Sequence, residues 1–175
     1  LERGPAGDDT GHSGDLDIRH SLYIYGAGFS KTIIEAGPTF GDRILDIDPL
    51  DNAGPLYVGI KDVTFRNGRA PLNAAGGAIL IPFGSDKLNM TDCEFIGNAT
   101  SGSGHGGAIA GGGVLEISNT TFSGNVALGS VGGGAIANLG SGNLKLNRVT
   151  FVGNHSFTVG GAIYNGGVLG ADNVT

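Results

Sequence analysis

The sequence predicts an all-β chain wound as a parallel β-helix, a solenoid of about five to six coils with three short strands per coil. Three observations carry this. Gly-Gly-Ala-Ile recurs at Gly76, Gly106, Gly133 and Gly160, at spacings of 30, 27 and 27 residues. A second element, Phe-x-x-Asn, follows at Phe95–Asn98, Phe122–Asn125 and Phe151–Asn154, with a damaged copy, FRNG, at Phe65. Self-similarity at a fixed period near 30 residues is the signature of a repeat architecture. Between these elements lie short runs of strict alternation, GAIA, VLEI and NTTF in the copy at 106–122, separated by Gly, Ser and Asn. None is long enough for a helix. The 35 glycines of the 175 residues fall without the every-third period of collagen.

Taken in order, residues 1–13 (LERGPAGDDTGHS) read as a polar lead-in. GDLDI (14–18), LYIYG (22–26) and TII (32–34) give one irregular coil. RILDID (43–48), LYVGI (56–60) and VTF (63–65) give a second, with a loop at 49–55. Regular units follow at 76–95, 106–122 and 133–151, and a shortened one begins at Gly160. The domain reading is therefore one β-helix over 1–175, irregular over 14–70 and regular over 71–175. At the spacing of paired strands, about 4.8 Å, this makes an axis of roughly 25 Å.

In a solenoid each position stacks on its counterpart one coil away. Ile79, Ile109, Ile136 and Ile163 form one inward column, and Phe65, Phe95, Phe122 and Phe151 another. Leu88/Met90, Leu115/Ile117 and Leu144/Leu146 supply a third. Asn98, Asn125 and Asn154 align at a turn, where a buried amide bonds backbone along the axis. The expected role of these columns is structural. The strings GSGHGG and GGGVL lack the strand–loop–helix setting and the Gly-Lys-Ser/Thr of a phosphate loop.

The net charge of −6 and the scattered ten Lys and Arg argue against nucleic acid or an anionic membrane as partner. No apolar run is long enough to insert into a membrane. Cys93 is the only cysteine and is expected in the core. The chain opens on Leu1 and closes within a repeat, so the expectation is an internal segment or processed product of a longer protein.

Gly-Gly-Ala-Ile with Phe-x-x-Asn is the repeat pair of the chlamydial polymorphic membrane proteins, which this chain resembles. Those are secreted β-helix passengers of autotransporters that act as adhesins. The stretches LERGPAGDDTGHSGDLDI, SLYIYGAGFSKTIIEAG, DRILDI and VGIKDVTFRNG are similar to bacterial surface proteins with a CSLREA-type amino-terminal motif and a pectin-lyase-like right-handed β-helix. The CSLREA stretch itself is absent. Together the resemblances imply a right-handed parallel β-helix in a secreted or cell-surface setting.

Enzymes of this architecture need Asp-bound calcium and a Lys or Arg base on the outer face of one sheet. If the Ile column points inward, the outward residues on that sheet are Ala78, Ala108, Ala135 and Ala162, then Leu80, Ala110, Ala137 and Tyr164. That face holds no base and no metal ligand, and His12, His20, His105 and His155 have no ligand spacing, so no catalytic site and no obligate cofactor are expected. Small outward residues in register instead predict a flat apolar interface for lateral self-association, with end-to-end stacking at the coil ends and a filament as one product. Asp15, Asp17, Asp46 and Asp48, flanked by Asp42 and Asp51, are expected to project outward together. Either calcium or the neighbouring Arg19 and Arg43 would relieve their repulsion.

Five Asn-x-Ser/Thr sequons, at Asn89, Asn98, Asn119, Asn154 and Asn173, are candidate N-glycosylation sites. Asn98 and Asn154 would have to leave their ladder to carry sugar. The function expected is a non-catalytic extracellular scaffold, adhesin or self-assembling unit, with glycans or a host cell surface as further partners. The alternative is a carbohydrate-binding or polysaccharide-lyase-like β-helix whose active site lies outside this segment. A cleft lined by Tyr23, Tyr25, Tyr57 and acidic residues would favour carbohydrate binding.

Overall fold

The computed structural model describes residues 14–49 and 54–175. The lead-in at 1–13 and Asp51 lie outside these. The described chain is all β and winds as a parallel β-helix. The first coil holds β1 (Leu16–Ile18), β2 (Leu22–Tyr25) and β3 (Ile33–Glu35). The second holds β4 (Leu45–Ile47), β5 (Tyr57–Lys61) and β6 (Thr64–Arg66). The third holds β7 (Ile79–Thr91), β8 (Glu94–Ile96) and β9 (Ala99–Thr100), and the fourth β10 (Ile109–Ser118), β11 (Thr121–Ser123) and β12 (Val126–Ala127). The fifth holds β13 (Ile136–Asn138), β14 (Asn143–Val152) and β15 (His155–Ser156), followed by β16 (Ile163–Asn165) and β17 (Val168–Val174).

Each of these strands pairs in parallel with its counterpart one coil away. The expected three strands per coil are modified in two ways. β7 and β10 run unbroken around the first corner, and β14 runs around the second, so each serves two sheets. A fourth, two-residue strand follows each Asn of the ladder, in the path β9–β12–β15. The β7–β10 register shifts at Gly111–Val114, where β7 carries extra residues. Gly111 is required there, because a Cβ would stand 2.1 Å from the Ile81 side chain.

The columns fill the interior as alternation dictates. Ile79, Ile109 and Ile136 are in register and fully buried, as are Leu88, Leu115 and Leu144. Phe65, Phe95, Phe122 and Phe151 stack face to face, with ring centroids 4.8–5.1 Å apart. Such offset aromatic stacking adds to the area each ring buries. Cys93 is buried in a column with Val63, Thr120 and Val149, and burial pushes its thiol up to about 11. It is a packing residue, protonated at neutral pH.

The turn between the second and third sheets is the same from the second coil onward. Asp62, Asp92, Asn119, Arg148 and Asn173 all adopt φ between 47° and 60°. Asn and Asp tolerate this left-handed conformation, whereas Arg148 is an unfavoured occupant. At the next turn the Asn ladder closes. Asn98 and Asn125 are fully buried, and Asn154 continues the row. Gly68, at the ladder position of the damaged FRNG copy, still donates its N–H to Asn98 Oδ1 at 2.9 Å.

Candidate functional site

β2, β5 and β7 build the face that stands out. Alternation turns Leu22 and Ile24 toward the core and Tyr23 and Tyr25 outward, and it places Tyr57 and Lys61 outward on the next coil. Tyr23, Tyr25 and Tyr57 are 70%, 73% and 57% exposed. Large aromatics usually bury their area, so three exposed together on one outer face set it apart from the rest of the surface.

The packing beneath explains their posture. Tyr23 pairs in register with Gly59. A Cβ at residue 59 would stand 2.3 and 2.6 Å from Tyr23 Cδ1 and Cε1, so the ring occupies the space a side chain would take. The contact is made by the Cδ1–Cε1 edge of the ring, the rest of which is exposed. Tyr25 lies nearly parallel to it, at 14° and 6.2 Å between centroids. Around the rings is a cleft of about 370 Å³ lined by Tyr57, Lys61, Lys87, Asn89 and Thr91. A second groove of about 530 Å³ shares Asn89 and continues along the same sheet past Glu116, Lys145 and Asp172.

The charges on this face are paired with one another. Lys87 Nζ and Lys145 Nζ meet the two carboxylate oxygens of Glu116 at 2.7 and 3.0 Å. These hydrogen bonds hold the Glu116 carboxyl below its ordinary range. Lys61 lies 3.6 Å from Asp92 and 3.9 Å from Asp62. The tyrosine cleft expected with acidic lining is thus lined by lysines, with their carboxylates on the neighbouring positions. Gly59, Lys61 and Lys87 were not singled out in the sequence, although counting alternate residues from Tyr23 through the repeat puts all three on this face.

The four aspartates read as a calcium site are placed differently from that expectation. Asp17 and Asp46 are in register, but Asp15, Asp46, Asp48 and Asp42 are buried rather than projecting into solvent. Arg43, itself buried, lies among them: its guanidinium bonds Asp46 and stands 3.4 Å from Asp15. Arg19 pairs with Asp17 at 2.7 Å. Burial, then the Asp42 charge, pushes the Asp15 carboxyl up to about 6, against the opposing pull of Arg43. Among the described residues, no group of three or more His, Cys, Asp or Glu side chains is placed to hold a metal ion.

The alanine interface is also corrected. Ala78, Ala108, Ala110, Ala135 and Ala137 are fully buried, and Leu80, Ala162 and Tyr164 are half-buried. Consecutive N–H groups of a strand point to opposite sides. Here both Ala108 and Ile109 donate to the Ala135 carbonyl, and both Ala78 and Ile79 to that of Ala108. The chain turns at each Ala-Ile pair, so both side chains face inward. Ile44 heads the same column and is itself buried. Ala110, which does lie on the outer side, is covered by the turn before it: a Cβ on Gly106 would stand 3.0 Å from that of Ala110.

Of the sequons, Asn89, Asn119 and Asn173 are exposed and Asn154 is half-buried. Asn98 is fully buried, with both its amide hydrogens directed to acceptors inside the ladder, so it is no acceptor for a glycan in the folded chain. No helix among the described residues is long and apolar enough to cross a membrane.

Two stretches, residues 119–139 and 148–166, match the Chlamydia polymorphic membrane protein repeat. Each spans one Phe-x-x-Asn turn and the Gly-Gly-Ala-Ile corner that follows it. The matches lie outside the amino-terminal coils, where the likeness to CSLREA-type proteins was drawn. No curated protein and no solved structure matches the chain.

Proposed function

We propose that this chain is part of a secreted or cell-surface β-helix that works without catalysis, as a rigid scaffold of adhesin type, and that the outer face of the β2–β5–β7 sheet meets the partner. The match of two units to the polymorphic membrane protein repeat supports a surface setting. The observation that carries the choice of face is the exposed group Tyr23, Tyr25 and Tyr57, held at fixed spacing by parallel ladders. Aromatic side chains with an apolar body and a polar tip are the usual anchors of recognition surfaces.

Retention of protein-coated beads on a cell monolayer tests this. Beads carrying the chain should be held, and beads carrying Tyr23→Ala/Tyr25→Ala/Tyr57→Ala should fall to the level of albumin-coated beads. Equal retention of the two would move recognition to another face, and no retention of the parent would remove the adhesin reading.

A further inference from the structure

Resting on the recognition face just proposed, we infer that the tyrosine cleft binds an uncharged linear oligosaccharide, with pyranose faces stacked on Tyr23 and Tyr25 and hydroxyls bonded to Asn89, Thr91 and the surrounding polar groups.

The posture of the rings gives the first argument. Tyr23 sets its Cδ1–Cε1 edge in the space over Gly59, and Tyr25 stacks beside it at 14° and 6.2 Å between centroids, with both rings more than two thirds exposed. Two near-parallel, largely exposed rings leave aromatic face open to a ligand and enclose no apolar hole. The electron-rich face of an aromatic ring attracts the C–H-bearing face of a pyranose.

The surroundings give the second. Asn89 is exposed beside the rings and Thr91 follows it on the strand, so amide and hydroxyl groups border them. Each can donate and accept, as sugar hydroxyls require. The cleft of about 370 Å³ falls in the range of small-ligand sites and holds a short segment of a glycan. The groove sharing Asn89 extends the track along the sheet for a longer chain.

Charge decides which glycan. Lys61, Lys87 and Lys145 each lie within 4 Å of a carboxylate, from Asp92, Glu116 and Glu116 respectively. An acidic polymer would have to displace these carboxylates, and it would approach a chain of net charge −6. A neutral polymer leaves the pairs intact and uses their outer lone pairs and N–H groups.

The chain carries its own reporter: it has no tryptophan, and three of its four tyrosines line the cleft. Tyrosine fluorescence is therefore titrated with cellohexaose, mannohexaose, xylohexaose and chitohexaose, and with hexagalacturonate as the acidic counterpart. At least one neutral hexasaccharide should give a saturable change whose midpoint is unmoved by about 0.5 M NaCl. Tyr25→Ala, which leaves the Tyr23–Gly59 packing in place, should weaken it about tenfold with unchanged circular dichroism. No saturable change with any neutral hexasaccharide overturns the inference, as does tighter, salt-sensitive binding of hexagalacturonate. If the triple tyrosine variant loses cell retention while no glycan binds, the recognition face stands and the saccharide does not. If a neutral glycan binds while retention is unaffected, the reverse holds.

Discussion

Asn98 and Asn125 are joined twice: the Oδ1 of Asn125 accepts both the backbone N–H of Asn98 and its side-chain Nδ2, each at 3.0 Å. Asn125 Nδ2 in turn donates to the Phe95 carbonyl at 3.0 Å and to Asn154 Oδ1 at 2.9 Å. One amide thus satisfies backbone and side-chain groups on both neighbouring coils at a site from which water is excluded. Replacing Asn125 by Ala takes the acceptor from the buried Asn98 N–H and from one of the two Asn98 amide hydrogens, and a donor from the Phe95 carbonyl. We expect a loss of about 3 kcal/mol, since each orphaned buried group costs roughly 1–3 kcal/mol. Urea unfolding would show it as a lowered midpoint, and a loss below about 1 kcal/mol would mean the ladder is ornamental.

Phe122 sits between Phe95 and Phe151 in the ring stack and is fully buried. Phe122→Ala should cost about 4 kcal/mol, because the rings above and below are held by their own coils and cannot close the gap. Phe122→Leu keeps most of the burial and should recover more than half of that. The same urea series separates the two.

Arg148 is the exception in a turn column otherwise filled by Asp and Asn. Its φ of 53° costs an L-residue with a long side chain about 1 kcal/mol relative to glycine. Arg148 is exposed. Arg148→Gly should therefore raise the melting temperature, while Asn119→Val in the same column should lower it. A stabilised Asn119→Val variant would contradict the turn assignment.

Asp15 gives the fold a pH dependence of definite sign. Its folded pKa of about 6 exceeds the ordinary 3.8, so the folded chain holds this proton more tightly than the unfolded chain. Its contribution is present in full below about pH 4 and is lost as pH rises through 6. His105, held low by burial, acts in the opposite sense just below its ordinary value of 6.5. The difference between parent and Asp15→Asn isolates the carboxylate: the variant should gain stability over the parent on going from pH 4 to pH 7. A constant difference across that range would show that Arg43 fully compensates the buried charge.

The columns were legible because a solenoid repeats each packing decision. Ile79, Ile109 and Ile136 announce one inward position three times over, as do the phenylalanines and the ladder asparagines. The Ala column misled for a physical reason. Alternation gives the side-chain direction only while successive N–H groups alternate, and at each Ala-Ile pair two of them converge on one carbonyl. The alignment of Ile44 with Ala78 was the available signal, because an isoleucine in that column argues for an inward position. The aspartates misled differently: alternation gives a direction but not what folds over it, and Arg43 covers them from a neighbouring turn. The tyrosine cleft was half legible. Its rings could be named from the sequence, but the placing of the Tyr23 ring depends on Gly59 one coil away, and the lysines reach the cleft only through the register.

That posture is also where the account is most exposed to test. Gly59→Ala deletes no tyrosine, yet its Cβ claims the space taken by the Cδ1–Cε1 edge of the Tyr23 ring, which is free to swing toward solvent. Bead retention of this variant on the cell monolayer is the most direct measurement, with its melting curve recorded alongside. The account predicts a melting temperature within a few degrees of the parent and a clear loss of retention. Retention equal to the parent at equal stability would contradict it, because the placing of the Tyr23 ring would then play no part in recognition.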